Sequence, residues 1–476
     1  MLGIVDWIAG GLFVASLPYW IPATVIALRM RIFTRVNGEE GVEIPGEVVD
    51  ASLFKQVYSH PAADGRSRGA ALSDLFWYWL SPGPEMHQEH LEPGEKYEEI
   101  ARTTRRILAS SKGEAEELTA RCTARVFDSI EIRRVHVVRL RDLMMPIWAD
   151  FYYELVFGEP CPLAARELIV GNANDVVTAL KCCGLRHMAK RRRLTRFLVA
   201  KLQTSSVPHI LPARLSIEEQ AFYLQGVFFN TAVVQMSEAM VHLLMVLAQH
   251  PEVQAKLALD RDNQLLLDRV IKETMRLYPL FGVAHRITSA DIVLDKGATL
   301  HKGTVLCFNY PTYHRTGFHR PEQFDPDRWT RLLAREAHYI PFGVAANRPC
   351  PASGLAPVTM QVAAREILKR FLLSSSASHT RSIPNRGPCL LMRRAGGCDP
   401  RPPRSLLLYM RMRDRWEDVW RSFVQLFLGT YMVWDARRLR LCGRYFEAQE
   451  TKGETASAAP ARVRDTECPM RGRSAQ

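Results

Sequence analysis

The segment Pro341-Phe342-Gly343-Val344-Ala345-Ala346-Asn347-Arg348-Pro349-Cys350 offers one cysteine at the end of a loop, an arginine two residues before it and an apolar helical stretch after it. A cysteine so placed suits a thiolate that ligates haem iron. The sulfur binds iron strongly only when deprotonated, and a tight turn that aims backbone N–H groups and the metal's charge at it holds it so. Arg348 then stands where a haem propionate needs a counter-ion. Taken alone, the segment also reads as a plain loop with its cysteine between Pro349 and Pro351.

Two further segments carry paired charges that must be positioned. In Lys272-Glu273-Thr274-Met275-Arg276-Leu277-Tyr278-Pro279, Glu273 and Arg276 share one helical face at i, i+3 spacing. Between this helix and the cysteine loop comes Arg320-Pro321-Glu322-Gln323-Phe324-Asp325-Pro326-Asp327-Arg328-Trp329. In this order the three segments resemble the cytochrome P450 haem-thiolate enzymes, which pair an E-x-x-R helix with the arginine of a P-x-R-[FW] segment and place the iron ligand in an F-G-x-G-x-R-x-C-x-G loop. The resemblance implies a mainly α fold with a small β portion, haem b ligated through Cys350, and Arg348 and Arg286 at the propionates, with Phe342 against the cofactor. It also implies a buried triad of Glu273, Arg276 and Arg328 that fixes the backbone around the ligand loop. His87 and His90 lie where the family often has a helix residue on the second propionate, and His90 is the expected contact.

The resemblance runs from about Val48 to Arg394, most strongly from Leu215 onward. Leu215-Ser216-Ile217-Glu218-Glu219 opens an apolar helix that ends near His250-Pro251, as the family's long central helix does. Ala284-His285-Arg286 precedes a strand-rich stretch from Asp291 to Phe308. Two departures bear on chemistry. The family's A-G-x-[DE]-T-T stretch falls on Thr231-Ala232-Val233-Val234-Gln235-Met236, so the acid and the alcohol that relay protons to bound dioxygen are absent. Gln235, Thr231 and Asn230 are the nearest polar substitutes on this distal helix, with backbone-bonded helix polar groups as the plainer reading. The ligand loop has one residue more than the family spacing between Phe342 and Cys350, and Ala346 and Ala352 replace glycines, which implies a reshaped turn.

The chain of 476 residues is 47% apolar and 24% charged, which marks a globular protein with ample material for a core. Its ten cysteines show no C-x-x-C pair and no zinc-like spacing. An uncharged run from Trp7 to Leu28 would span about 33 Å as a helix at about 1.5 Å per residue, enough to cross a bilayer. Arg29, Arg31 and Arg35 follow it, against Asp6 before it, so a single-pass anchor would leave the body on the cytoplasmic side. A cleaved signal peptide is the rival, although the run lacks a basic start. The formal net charge of +13 and the basic run from His187 to Arg193 invite a nucleic-acid reading, but no nucleic-acid motif accompanies them. A solvated helix face and anionic lipid headgroups account for them better.

These readings divide the chain into an anchor (1–30), a haem-thiolate domain (31–394), a linker with an amphipathic helical extension (395–446) and a tail without periodicity (447–476). The aromatic cluster at Phe76-Trp77-Tyr78-Trp79 reads as core packing, or as the wall of a pocket or a lipid contact. The apolar run from Phe423 to Trp434 is too short to span a membrane and suits either an interfacial helix or one packed on the body. The expected activity is oxidation of a hydrophobic small molecule, most simply monooxygenation with electrons from a reductase or ferredoxin. Arg365, Lys369 and Arg370 would face that donor. A haem-thiolate isomerase or dehydratase that needs no donor is the alternative, and a non-catalytic haem-binding membrane protein is a third.

Overall fold

Ser216 caps the central helix. Its hydroxyl accepts from the Glu219 amide while the Glu219 carboxylate accepts from the Ser216 amide, so two amides left free at the helix start are satisfied together. From there the chain stays helical to Gln249. Although the helix is apolar and long enough to cross a membrane, it is buried from Met236 to Ala248 as the spine of the main core. The computed structural model describes residues 2–37, 41–66, 68, 70–130, 135–204, 207–259, 264–294, 297–394 and 402–458.

Around this spine pack the Leu140–Phe157, Leu163–Leu180, Gln264–Leu277 and Leu355–Arg370 helices. Their shared core includes Trp148, Phe151, Tyr152, Phe228, Met240 and Ile367, each at most 2% exposed. Three small sheets lie at the edges, so the described residues form a mainly helical fold with little β structure. In the first, Val305–Asn309 runs between Val42–Ile44, paired parallel (Val42 with Leu306), and Val283–Ile287, paired antiparallel (Val283 with Asn309). In the second, Pro388–Arg393 lies between Val135–Arg139 and Phe371–Ser374, both antiparallel. Ile292–Val293 pairs with Thr299–Leu300 in the third.

The ends depart from the reading of the sequence. The N-terminal helix, Leu2–Asn37, continues through Pro18 and Pro22 and packs along a C-terminal helix, Arg404–Leu439. Apolar N-terminal helices of this kind serve either as membrane segments or as signal sequences. A second C-terminal helix, Leu441–Ala458, follows a break at Arg440 (φ 46°). It carries regular structure into the segment expected to be a tail, because Tyr445 and Phe446 have Trp77 to pack on. Of the expected linker, 395–401 lies outside the described residues, as does 459–476 of the tail.

Candidate haem-thiolate site

Glu273 anchors the region below the site. Its Oε1 and Oε2 accept from Arg276 Nη2 (2.8 Å) and Nε (2.9 Å), Oε1 from Arg328 Nε (2.9 Å), and Oε2 from Trp329 Nε1 (3.0 Å). Both Glu273 and Arg276 are fully buried. Arg276 and Arg328 spend their remaining N–H groups on the carbonyls of His314, Pro321, Gln323 and His319, so the triad fixes several turns of irregular chain at once.

The ligand loop follows. The Cys350 amide donates to the Phe342 carbonyl (2.9 Å), closing the turn, and Asn347 pins it to the body through the Tyr58 (2.7 Å) and Ala63 (3.1 Å) carbonyls. Left-handed backbone falls on Gly343 (φ 76°) and on Arg348 (φ 50°), a residue with a side chain, so the turn is closed differently from one with glycine at 346 and 352. Cys350 and Phe342 border an apolar cavity of about 1150 Å³ including its mouth. Its other walls include Phe228, Ala232, Met236, Leu280 and Met360. Burial pushes the Cys350 thiol up to about 11, with one backbone hydrogen bond acting the other way. A cation bound at the sulfur would reverse that preference.

At one edge of the cavity stands a cluster of charge. Arg348 is stacked 3.8 Å over Tyr97, donates to the Leu91 carbonyl (2.6 Å) and pairs with Asp64 (2.8 Å). Arg286 donates to the Tyr58 hydroxyl (2.6 Å) and the His285 carbonyl (2.8 Å), while its Nε is buried without a hydrogen-bond partner. Arg66, itself 1% exposed, leaves Nη1 in the same condition. The unsatisfied Arg286 Nε beside an apolar slot fits a flat apolar ring bearing carboxylates. Glu89 occupies the same ground, 3.8 Å from Arg286 and 4.0 Å from Arg66, and burial pushes its carboxyl up to about 7.

The distal wall is the central helix, which widens to π-helix over Gln225–Ala232. Thr231 and Gln235 line the cavity, and the Thr231 hydroxyl donates to the Gly226 carbonyl (2.8 Å). Asn230 is outside the lining and bonds Asn172 (2.5 Å) and the Leu80 carbonyl (3.2 Å) instead. His90 is also outside it. The stretch from His87 to Leu91 is a turn and not the expected helix, and it presents His87, Gln88 and Glu89 to the cavity. Burial holds His87 neutral, lowering it to about 4. Sequence reading missed Glu89, Asp64, Arg66 and Tyr58, which no local spacing brings together.

Elsewhere, Arg191 in the basic run is buried and bonds Asp175 (2.6 Å) and the Trp79 and Ser81 carbonyls, so the run is in part a structural clamp. On the Leu355–Arg370 helix, Lys369 and Arg370 both pair with Glu366 (2.7 Å each), which offsets one of the three positive charges the helix was expected to offer.

A helical body carries a partly buried thiol at the floor of an apolar cavity with arginines at its edge. Residues 186–397 match the cytochrome P450 family model, and over that stretch the chain is a divergent cytochrome P450 sequence. It is 30% identical over 155 residues to cytochrome P450 27C1 of Danio rerio, covering 28% of each chain. To cytochrome P450 3A12 of Canis lupus familiaris it is 32% identical over 155 residues, covering 28% of this chain and 30% of the relative. Pentalenene oxygenase of Streptomyces avermitilis is 32% identical over 123 residues, covering 22% of this chain and 27% of the relative. The aligned segments thus span less than a third of these relatives' own length. Fold similarity reaches further. A cytochrome P450 from Thermus thermophilus superposes with a TM-score of 0.55 at 18% identity, covering 71% of this chain and 91% of that one. A zebra fish cytochrome P450 crystallised with abiraterone gives 0.60 at 16% identity, covering 72% and 92%.

Proposed function

We infer that the chain is a haem-thiolate oxidoreductase that acts on a hydrophobic small molecule by monooxygenation, with electrons from a separate reductase or ferredoxin. The observation that carries this reading is the apolar cavity between Cys350 and the π-helical stretch of the central helix. Haem b, held by Cys350 with Arg286 and Arg348 toward its propionates, would supply the oxidising power, and thiolate donation favours O–O cleavage.

The chain's own residues bind, orient and exclude water. Val227, Phe228, Leu280 and Phe281 present apolar surface that desolvates a hydrophobic substrate and selects against polar ones. Gln235 can hydrogen-bond a group above the thiol but cannot titrate, and the Thr231 hydroxyl proton is engaged by the Gly226 carbonyl. The part of the central helix that lines the cavity therefore offers no titratable side chain for proton delivery.

That loss favours a second reading, a haem-thiolate isomerase or dehydratase of an already oxygenated substrate, which needs neither donor nor relay. Oxygen uptake dependent on a reductase and a hydrophobic substrate supports the first reading. Turnover of a lipid peroxide without donor, and no oxygen uptake, supports the second. Membrane association is part of either reading. The apolar N-terminal helix supports it, as does the resemblance to membrane-anchored family members.

A further inference from the structure

The Arg404–Leu439 helix carries apolar residues on two faces. Toward the body it turns Met410, Met432 and Val433 together with ionised and small residues. Asp414 accepts from Ser378 (2.8 Å) and Asn385 (3.0 Å), Glu417 pairs with Arg139 (2.7 Å), and Gly429 lies against Cys182. Away from the body it turns Met412, Trp416, Trp420, Phe427, Tyr431 and Trp434, each at least 41% exposed. With Phe423, these recur every three or four residues and form one stripe along a single helical face. Exposed aromatic stripes of this extent mark an interaction surface.

The Leu2–Asn37 helix runs parallel beside it. Arg415 donates to the Tyr19 hydroxyl (2.8 Å), and Gly429 packs by Phe33, contacts separated by equal intervals on the two helices. Trp7, Leu12, Phe13 and Tyr19 are each at least 60% exposed. A bilayer crossed by this helix would have to take in Arg411, Arg413, Asp414, Glu417 and Asp418 at the depth of Tyr19. Ionised groups in such number are excluded from a hydrocarbon core.

We propose that the two helices form one platform that lies in the plane of an anionic membrane surface, with the N-terminal helix embedded along its length and not crossing. This deepens the membrane association proposed above and rests on it. Exposed Arg31, Arg35, Arg404, Arg411 and Arg438 border the platform and match anionic headgroups, while Trp and Tyr suit the interfacial depth. The proposal assigns the C-terminal extension a role that a single anchor would leave it without.

The test uses the full chain with an N-terminal epitope tag and vesicles of phosphatidylcholine, with and without phosphatidylserine. The variant Trp416→Glu/Trp420→Glu/Phe427→Glu changes exposed side chains only, and circular dichroism checks that it folds. Co-sedimentation with the phosphatidylserine vesicles should fall about tenfold or more in the variant. In the parent, the tag should be cut by protease added outside the sealed vesicles while the chain stays bound. A protected tag means that the helix crosses, which overturns the platform but leaves membrane association standing. Parent-like binding by the variant also overturns it. No binding to any vesicle removes membrane association itself, and self-association through the stripe without vesicle binding assigns the face to a second copy of this chain.

Discussion

Glu89 is where the residue scale is most informative. Burial raises its carboxyl from 4.5 to about 7, with Asp64 adding to the shift and Arg348 opposing it. Between these values the folded chain holds a proton that the unfolded chain has released, so stability contributed here is full at low pH and is lost as pH rises toward 7. Glu89→Gln should flatten that decline in denaturant titrations run across the same interval. It should also tighten haem binding, because an ionised Glu89 competes with a propionate for Arg286. Glu273→Ala acts differently. It leaves Arg276 and Arg328 buried without their counter-charge, and unfolding free energy should fall by about 3–5 kcal/mol, read by chemical denaturation. The ion pairs of Glu273 with Arg276 and Arg328 were legible in the sequence because each residue sits in a short segment whose local spacing carries the signal. Glu89, Asp64 and Arg66 were not, because their meeting depends on three segments converging.

At the scale of elements, the π-helical stretch decides the distal wall. Backbone register produces it, and residue type does not announce it. The sequence shows only that the usual acid and alcohol are missing at Val234 and Gln235, whereas the structure widens the helix just before them, over Gln225–Ala232, and returns to regular α-helix from Val233. Gly226 makes the widening compatible with its neighbour. A Cβ at 226 would lie 2.8 Å from the Gly83 carbonyl oxygen, a backbone atom that cannot swing aside. Gly226→Ala should therefore push the central helix from the Pro84–Met86 turn, with a loss of about 1–3 kcal/mol in stability and weaker binding of hydrophobic ligands in spectral titration. Over Met188–Thr204, the basic run looked like a solvated face because charge is what a sequence shows; that Asp175 waits beside Arg191 is a tertiary fact.

For the whole molecule, the C-terminal helices close the fold over the Ala71–Leu80 helix. Trp77 packs on Tyr445 and Phe446 (ring centroids 5.2 and 6.2 Å), and Asp74 accepts from the Cys442 (2.9 Å) and Gly443 (3.1 Å) amides. Truncation after Arg394 should uncover Trp77, raise binding of a hydrophobic dye and shift the melting transition down. An unchanged transition would show the extension to be separable. The sequence indicated a helical extension but not its partner, since aromatic residues read the same whether they meet lipid or a neighbouring helix. Family membership and fold rest on the ordered motifs and on the helical body together, and the chemistry rests on one sulfur. The carbon monoxide difference spectrum of the dithionite-reduced protein, with wild type beside Cys350→Ala, tests that claim most directly. A strongly red-shifted Soret band that vanishes in the variant is the predicted result; absence of haem, or the same unshifted band in both, would contradict it.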